Sequence, residues 1–159
     1  MLRILASALL LALATCSGNP AFADQTYPAT VVSVVDGDTV TVTVPAWAAT
    51  PFARMKVRIA GIDTPESRKP LAKCKAEIAL GKVAFAFGKT LAGPGDPVTL
   101  TYRGLDKYAR IDGALTLADG RDWAAVMLSA GHAQPYAGKT KPRWCKRSAP
   151  GPPPRPDGL

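Results

Sequence analysis

The sequence predicts a mainly β fold with helices, a small five-stranded barrel of the OB type with helices attached. Three observations lead there. Short β-branched segments alternate apolar and polar residues. Turn residues separate them at close intervals. One long amphipathic stretch interrupts the strands, giving the order β-β-β-α-β-β-α over about a hundred residues. Composition alone also admits an SH3-like barrel or an α+β sandwich. No internal repeat is visible.

The first strand is expected over residues 31–35 and the second over 39–44, where Val40, Val42 and Val44 share one face and Thr39, Thr41 and Thr43 the other. Asp36-Gly37 lies between them and reads as a hairpin turn. Residues 54–62 form a third strand, with Met55, Val57 and Ile59 alternating against Arg54, Lys56 and Arg58. Two prolines in DTPESRKP end it. A helix is expected over 71–92, its apolar stripe drawn by Ala76, Leu80, Val83, Phe87 and Leu91. Gly81 and Gly88 weaken it or permit close packing. Strands follow over 98–102 and 111–117, and a short helix over 123–129, stopped by Gly131.

The chain has 159 residues and a net charge of +8. Arg3, an apolar run of about eleven residues and the small-x-small triplet Ala21-Phe22-Ala23 have the plan of a secretory signal peptide over 1–23. The run falls well short of the roughly twenty residues that span a bilayer, so no stable membrane anchor is expected. Leu13-Ala14-Thr15-Cys16 loosely resembles a lipobox, with an atypical Thr before the Cys. Cleavage leaves roughly 136 residues, one domain's worth of core. That domain is assigned to residues 24–147, and the Pro/Gly-rich segment 148–159 reads as a disordered tail. An exported, monomeric protein of the periplasm or the extracellular medium is expected. Its basicity suits a polyanionic partner: nucleic acid, anionic lipid or acidic polysaccharide. In an oxidising compartment Cys74 and Cys145 read as one disulfide, closing a loop of about seventy residues and contributing roughly 4 kcal/mol in the chain-entropy model.

Only two of the acids are glutamates, Glu66 and Glu77. Yet Asp36, Asp38, Asp63 and Glu66 fall in two short segments, each at a strand end, with Arg58 between them. If the second and third strands are neighbours, Asp38 and Asp63 come within one coordination sphere. Carboxylates with a backbone carbonyl and waters suit a hard cation such as Ca²⁺. Each acid alone would read as a turn residue or a helix cap; their joint occurrence points further. Arg58 and Arg110 alone would read as surface charges. Beside a cation site, two guanidiniums suit a phosphodiester and the extra charge of its five-coordinate transition state. His132 is the only histidine, sits at a helix end and has no nucleophile paired with it, so it reads as structural. Zinc spacing and Gly-rich phosphate loops are missing from the sequence.

Together DGDT, VRIAGIDTPE and DKYAR, in that order, resemble the three motifs of the staphylococcal-type nuclease (thermonuclease) family, and DGRDWAAVMLSAGHA resembles its last helix segment. The similarity runs from Pro28 to Ala133. It implies an OB-fold and Ca²⁺-dependent hydrolysis of DNA and RNA to 3′-phosphate products. By the same resemblance, Asp38, Asp63 and the Thr64 carbonyl hold the metal, Glu66 orients or deprotonates the attacking water, and Arg58 and Arg110 are catalytic. Lys107 and Tyr108 contact a nucleotide phosphate, and Asp36 supports the metal site from behind Asp38.

The chain departs from the family pattern in two places. Ala109 stands where the family usually has Gly before its second arginine, a strained choice if that position needs a positive φ. The family's base-stacking tyrosines are not matched in register; GHAQPYAGKTKPRWC offers Tyr136 and Trp144 instead, with Lys139, Lys141, Arg143, Lys146 and Arg147 either following a phosphate backbone or forming a solvated tail. The alternative to an enzyme is a non-catalytic OB-fold module of the cell envelope that binds nucleic acid or protein. A basic structural protein of the envelope is the third reading.

Overall fold

A computed structural model describes residues 25–146. The proposed signal peptide over 1–23 and tail over 148–159 lie outside the described residues. Five strands close a barrel: β1 (Gln25–Asp36), β2 (Thr39–Thr43), β3 (Arg54–Ile59), β5 (Pro97–Leu105) and β6 (Ile111–Leu117). Their order around it is β1-β2-β3-β6-β5, with β5 returning to β1. The β3–β6 pair is parallel and the rest are antiparallel. The remaining elements are the two-residue strands β4 (Ile62–Asp63) and β7 (Gln134–Pro135), which pair with each other, and the helices α1 (Lys75–Leu91) and α2 (Trp123–Ser129). This is the expected OB-type barrel with attached helices.

The interior follows the period-two pattern. Val40 and Val42 of β2, Val57 and Ile59 of β3, Val98 and Leu100 of β5, and Ile111, Leu115 and Leu117 of β6 are buried together. Thr39 and Thr41 are buried as well, so β2 is covered on both faces. Trp123 opens α2 after the Asp122 cap and is fully buried, its indole N–H donating to the Gly37 carbonyl at 3.0 Å.

Four elements differ from the sequence expectation. β1 begins at Gln25, because residues 25–30 pair with β5 while residues 30–36 pair with β2; two register irregularities bend the strand between its partners. The third strand splits into β3 and β4, so Asp63 belongs to a ribbon outside the barrel. Asp36 pairs with Thr39, which makes Gly37-Asp38 the turn rather than Asp36-Gly37. Gly37 is required by close approach: a Cβ there would lie 2.8 Å from the Thr64 Cγ2 and 2.9 Å from the Met127 methyl.

The fourth difference is in α1, which starts at Lys75 with Cys74 as its cap. Its buried face is Glu77, Leu80, Gly81, Ala84 and Gly88, while Ala76 and Val83 of the expected stripe are exposed. Small residues face inward because the backbone of Pro65 and Glu66 lies directly on the helix: a Cβ on Gly81 would meet both carbonyl oxygens at 2.6 Å. The expected disulfide, Cys74–Cys145, is present and ties the chain after β7 to the start of α1. No helix of the described residues is long and apolar enough to cross a membrane.

Candidate active site

Asp38 reaches the site from the β1–β2 turn. Its backbone N–H donates to the Asp36 Oδ1 at 3.1 Å, an Asx arrangement that fixes the turn. Its own carboxylate accepts from the Thr39 hydroxyl at 3.1 Å and from the Thr64 backbone N–H at 2.8 Å. The second of these bonds docks the Asp63-Thr64 segment against the turn. Arg58, from β3 beside β2, threads between them. Its guanidinium donates to the Ile59 and Ile62 carbonyls at 2.6 and 2.7 Å and stands 3.3 Å from Asp38 and 3.9 Å from Asp63. One nitrogen of Arg58 therefore faces both carboxylates, so Asp38 and Asp63 flank a single guanidinium.

Asp63 is almost wholly buried, at 1% exposure. Its Oδ2 accepts from the Trp144 indole at 2.9 Å. Its Oδ1 has the Lys141 ammonium at 3.1 Å but no partner in hydrogen-bonding geometry. The same ammonium bonds Glu66 at 2.9 Å. Burial works against the charge of Lys141, but the bond to Glu66 and the charge of Asp63 outweigh it and hold the ammonium above its ordinary pKa. Burial, and next the charge of Asp38, push the Asp36 carboxyl up from 3.8 to about 7. A buried carboxylate oxygen lacking a hydrogen bond, beside acids that burial and like charge hold apart from full ionisation, suits a divalent cation. The available donors, the Asp38 and Asp63 carboxylates, are hard oxygens suited to a hard divalent cation.

Arg110 stands at the entrance to β6, the parallel neighbour of β3. Asp106 holds its guanidinium at 2.7 and 2.8 Å and accepts from the backbone N–H groups of Tyr108 and Arg110, each at 2.9 Å. Burial would raise the Asp106 pKa, but these bonds outweigh it and hold the carboxyl below its ordinary range. Ala109 has φ +56°, the strained left-handed conformation that the glycine preference of the family anticipates. Lys107 and Tyr108 are exposed at the tip of this turn. Asp36, Asp38, Arg58, Glu66, Asp106, Lys107, Tyr108, Arg110 and Lys141 line one open cleft of 1380 Å³, which also takes in Tyr136; Asp63, Thr64, Ala109 and Trp144 do not line it.

Two sequence expectations for the segment after β7 change. Trp144 is buried at 4% exposure against Asp63, so it offers no face to a base; Tyr136, beside Arg58, remains open to the cleft. Lys141 leaves the basic run to pair with Asp63 and Glu66, and Arg147 falls outside the described residues. His132 is buried against the Phe87 ring, as a structural histidine would be. Sequence reasoning missed three participants. Asp106 carried a usable signal, since it lies four residues before Arg110 across a tight turn. Lys141 and Trp144 meet acids 75 and 81 residues away and carried none.

Barrel and cleft together define a class: OB-type barrels in which carboxylates and guanidiniums share one open site suited to a phosphate-bearing polymer. The chain belongs to the staphylococcal nuclease homologue family, whose model matches residues 56–148, more than half of it. It is similar to endonuclease YhcR of Bacillus subtilis (strain 168), 29% identical over 121 residues that make up 74% of this chain and 10% of that protein. It is also similar to an uncharacterized endonuclease of Escherichia coli, 33% identical over 106 residues, 67% of this chain and 59% of that protein. The chain thus spans less than two thirds of the curated relatives it matches.

Proposed function

We propose that the protein is an exported, Ca²⁺-dependent nuclease that hydrolyses phosphodiester bonds of DNA and RNA and leaves 3′-phosphate ends. The observation that carries this reading is the gathering of Asp38, Arg58, Glu66 and Arg110 around one cleft, with the buried Asp63 joined to them through Arg58 and Lys141. Family membership and the endonuclease names of the relatives support the reaction class. The signal-like N-terminus supports export, and the Cys74–Cys145 bond is in keeping with an oxidising compartment.

Held by Asp38, Asp63 and the Thr64 carbonyl, Ca²⁺ would neutralise charge on a phosphate oxygen. Glu66 takes or orients the proton of the attacking water as the bond to the 5′ oxygen breaks. Arg58, already oriented by two carbonyls, donates to the phosphoryl oxygens from one side and Arg110 from the other, near the leaving oxygen. Lys107 and Tyr108 bind a neighbouring phosphate. Asp36 keeps the turn shaped so that Asp38 faces the site.

Digestion of DNA and of RNA by the mature protein, with Ca²⁺ against chelator, tests the proposal. Glu66→Gln is expected to lower kcat by about 10²- to 10⁴-fold while the fold is kept. Well-folded wild-type protein that cuts neither polymer with any divalent ion would overturn the enzyme reading. Retained oligonucleotide binding in that case would leave the binding module standing.

A further inference from the structure

We propose that Trp144 is a positioning residue that holds the Asp63 carboxylate in its cation-facing orientation, and that the Cys74–Cys145 disulfide keeps Trp144 in place. The inference rests on the metal site proposed above and extends it to a segment that no motif covers.

Asp63 does not sit on the barrel. Its strand, β4, is two residues long, and its partner is β7, two residues of the chain that leads to Trp144. The Tyr136 N–H donates to the Gly61 carbonyl at 2.9 Å and continues this attachment. The acid most deeply buried in the site is therefore carried by the segment that follows α2. A two-stranded ribbon of this length has little stability of its own. Something else must fix the carboxylate.

The Trp144 indole does so with a single donor in a fixed plane. It occupies Oδ2 at 2.9 Å and leaves Oδ1 as the oxygen without a hydrogen-bond partner. The donor is neutral. It orients the carboxylate without cancelling the charge that attracts a cation, as the Lys141 ammonium on the other oxygen partly does. Hydrogen bonds from behind a ligating carboxylate commonly change metal affinity by about 10- to 100-fold.

Trp144 lies beside Cys145, and the disulfide joins that residue to Cys74, the N-cap of α1, whose sulfur accepts from the Glu77 N–H at 3.3 Å. Glu77 in turn accepts from the backbone N–H groups of Lys73 at 2.7 Å and Glu66 at 3.5 Å. The first turn of α1 thus steadies both sides of the acidic site: Glu66 through Glu77, and Asp63 through Cys74, Cys145 and Trp144.

The test is calorimetric titration of the mature, oxidised protein with Ca²⁺ alone, without nucleic acid. Asp63→Asn is the control and should abolish binding. Trp144→Phe keeps most of the packing and removes the N–H; it is expected to weaken Ca²⁺ binding about tenfold. Its kcat should recover at saturating Ca²⁺, with the KM for an oligonucleotide unchanged. Reduction of the disulfide should weaken binding in the same direction. Wild-type affinity in folded Trp144→Phe, with Asp63→Asn dead, overturns this inference and leaves the nuclease reading intact. Wild-type protein that binds no Ca²⁺ overturns both. Unchanged affinity after reduction overturns the anchoring role of the disulfide. Should Trp144→Phe not fold, the ¹⁵N–¹H signal of the Trp144 indole in the wild type serves instead. It should move on Ca²⁺ addition, and a signal that stays still overturns the proposal.

Discussion

The two arginines of the cleft are held in opposite ways. Arg58 is locked by tertiary structure: two backbone carbonyls accept from its guanidinium, two carboxylates from separate segments face it, and its side chain is 13% exposed. Arg110 is held only within its own turn, by Asp106 four residues back and by the Tyr108 ring 5.4 Å away, and its side chain is 28% exposed. The difference shows that a single site can combine a preorganised wall with a locally adjustable one. Arg58 neutralises buried acids before any ligand arrives. Arg110 can exchange Asp106 for a phosphate more readily, because the pair is partly exposed and confined to one turn, and contributes about 1 kcal/mol.

The sharpest way to break this comparison is to truncate each arginine. Arg58→Ala and Arg110→Ala should both lower kcat by at least about 10²-fold, the loss typical of an electrostatic donor at a transition state. Their stabilities should part company. Arg58→Ala removes the cation on the buried Asp38 and leaves Asp63 with Lys141 as its one cation among the described residues, and is expected to cost about 3 kcal/mol in chelator, with Ca²⁺ restoring part of it. Arg110→Ala should cost less than about 1 kcal/mol with or without Ca²⁺. Equal losses in denaturant melts would mean that the two residues are held alike.

Asp106→Asn comes next. It keeps the acceptor oxygen of the turn but loses the charge and one of the oxygens that hold Arg110. An activity loss of about tenfold is expected from a misplaced donor, with Ca²⁺ affinity untouched. A change in Ca²⁺ affinity would show that the two walls communicate.

Lys141→Gln acts on the other wall. Its ammonium lies 3.1 Å from Asp63 and 2.9 Å from Glu66, where it opposes a divalent cation. Removal of this half-exposed charge should tighten Ca²⁺ binding about three- to fivefold, the equivalent of a surface ion pair. Calorimetry would reveal weaker binding if Lys141 instead supports the site.

The same division explains what could be read from the sequence. The barrel strands were legible because β-branched and leucine residues recur at short spacing in each segment, whereas the turn holding Arg110 was missed although its chemistry is contained in DKYAR. The convergence of Asp38 with Asp63 could be argued from strand adjacency. What could not be read is whatever depends on distant contacts. The buried face of α1 was misplaced because Gly81 is there to admit the Pro65 and Glu66 backbone, a requirement with no local signature. Trp144 looked like a stacking surface because its partner is an aspartate 81 residues away. Residues 25–30 lack the run of β-branched residues that marks 31–35, and they become strand only through pairing with β5.

Ala109→Gly has the smallest expected effect and bears on the locally held wall alone. At φ +56° the alanine Cβ crowds the following carbonyl, a cost of about 1–2 kcal/mol for a residue other than glycine. Glycine removes that strain but gives the unfolded chain more freedom, which offsets about 0.4–1 kcal/mol of the gain. A net stabilisation between about 0 and 1.6 kcal/mol is therefore expected. Activity should change by less than about threefold, since one Asp106 oxygen fixes the turn through the backbone N–H groups on both sides of Ala109 and the other holds the guanidinium. A large rise in kcat without a change in stability would mean that Ala109 displaces Arg110 from its working position, and that this turn is the adjustable part of the site in function as well as in structure.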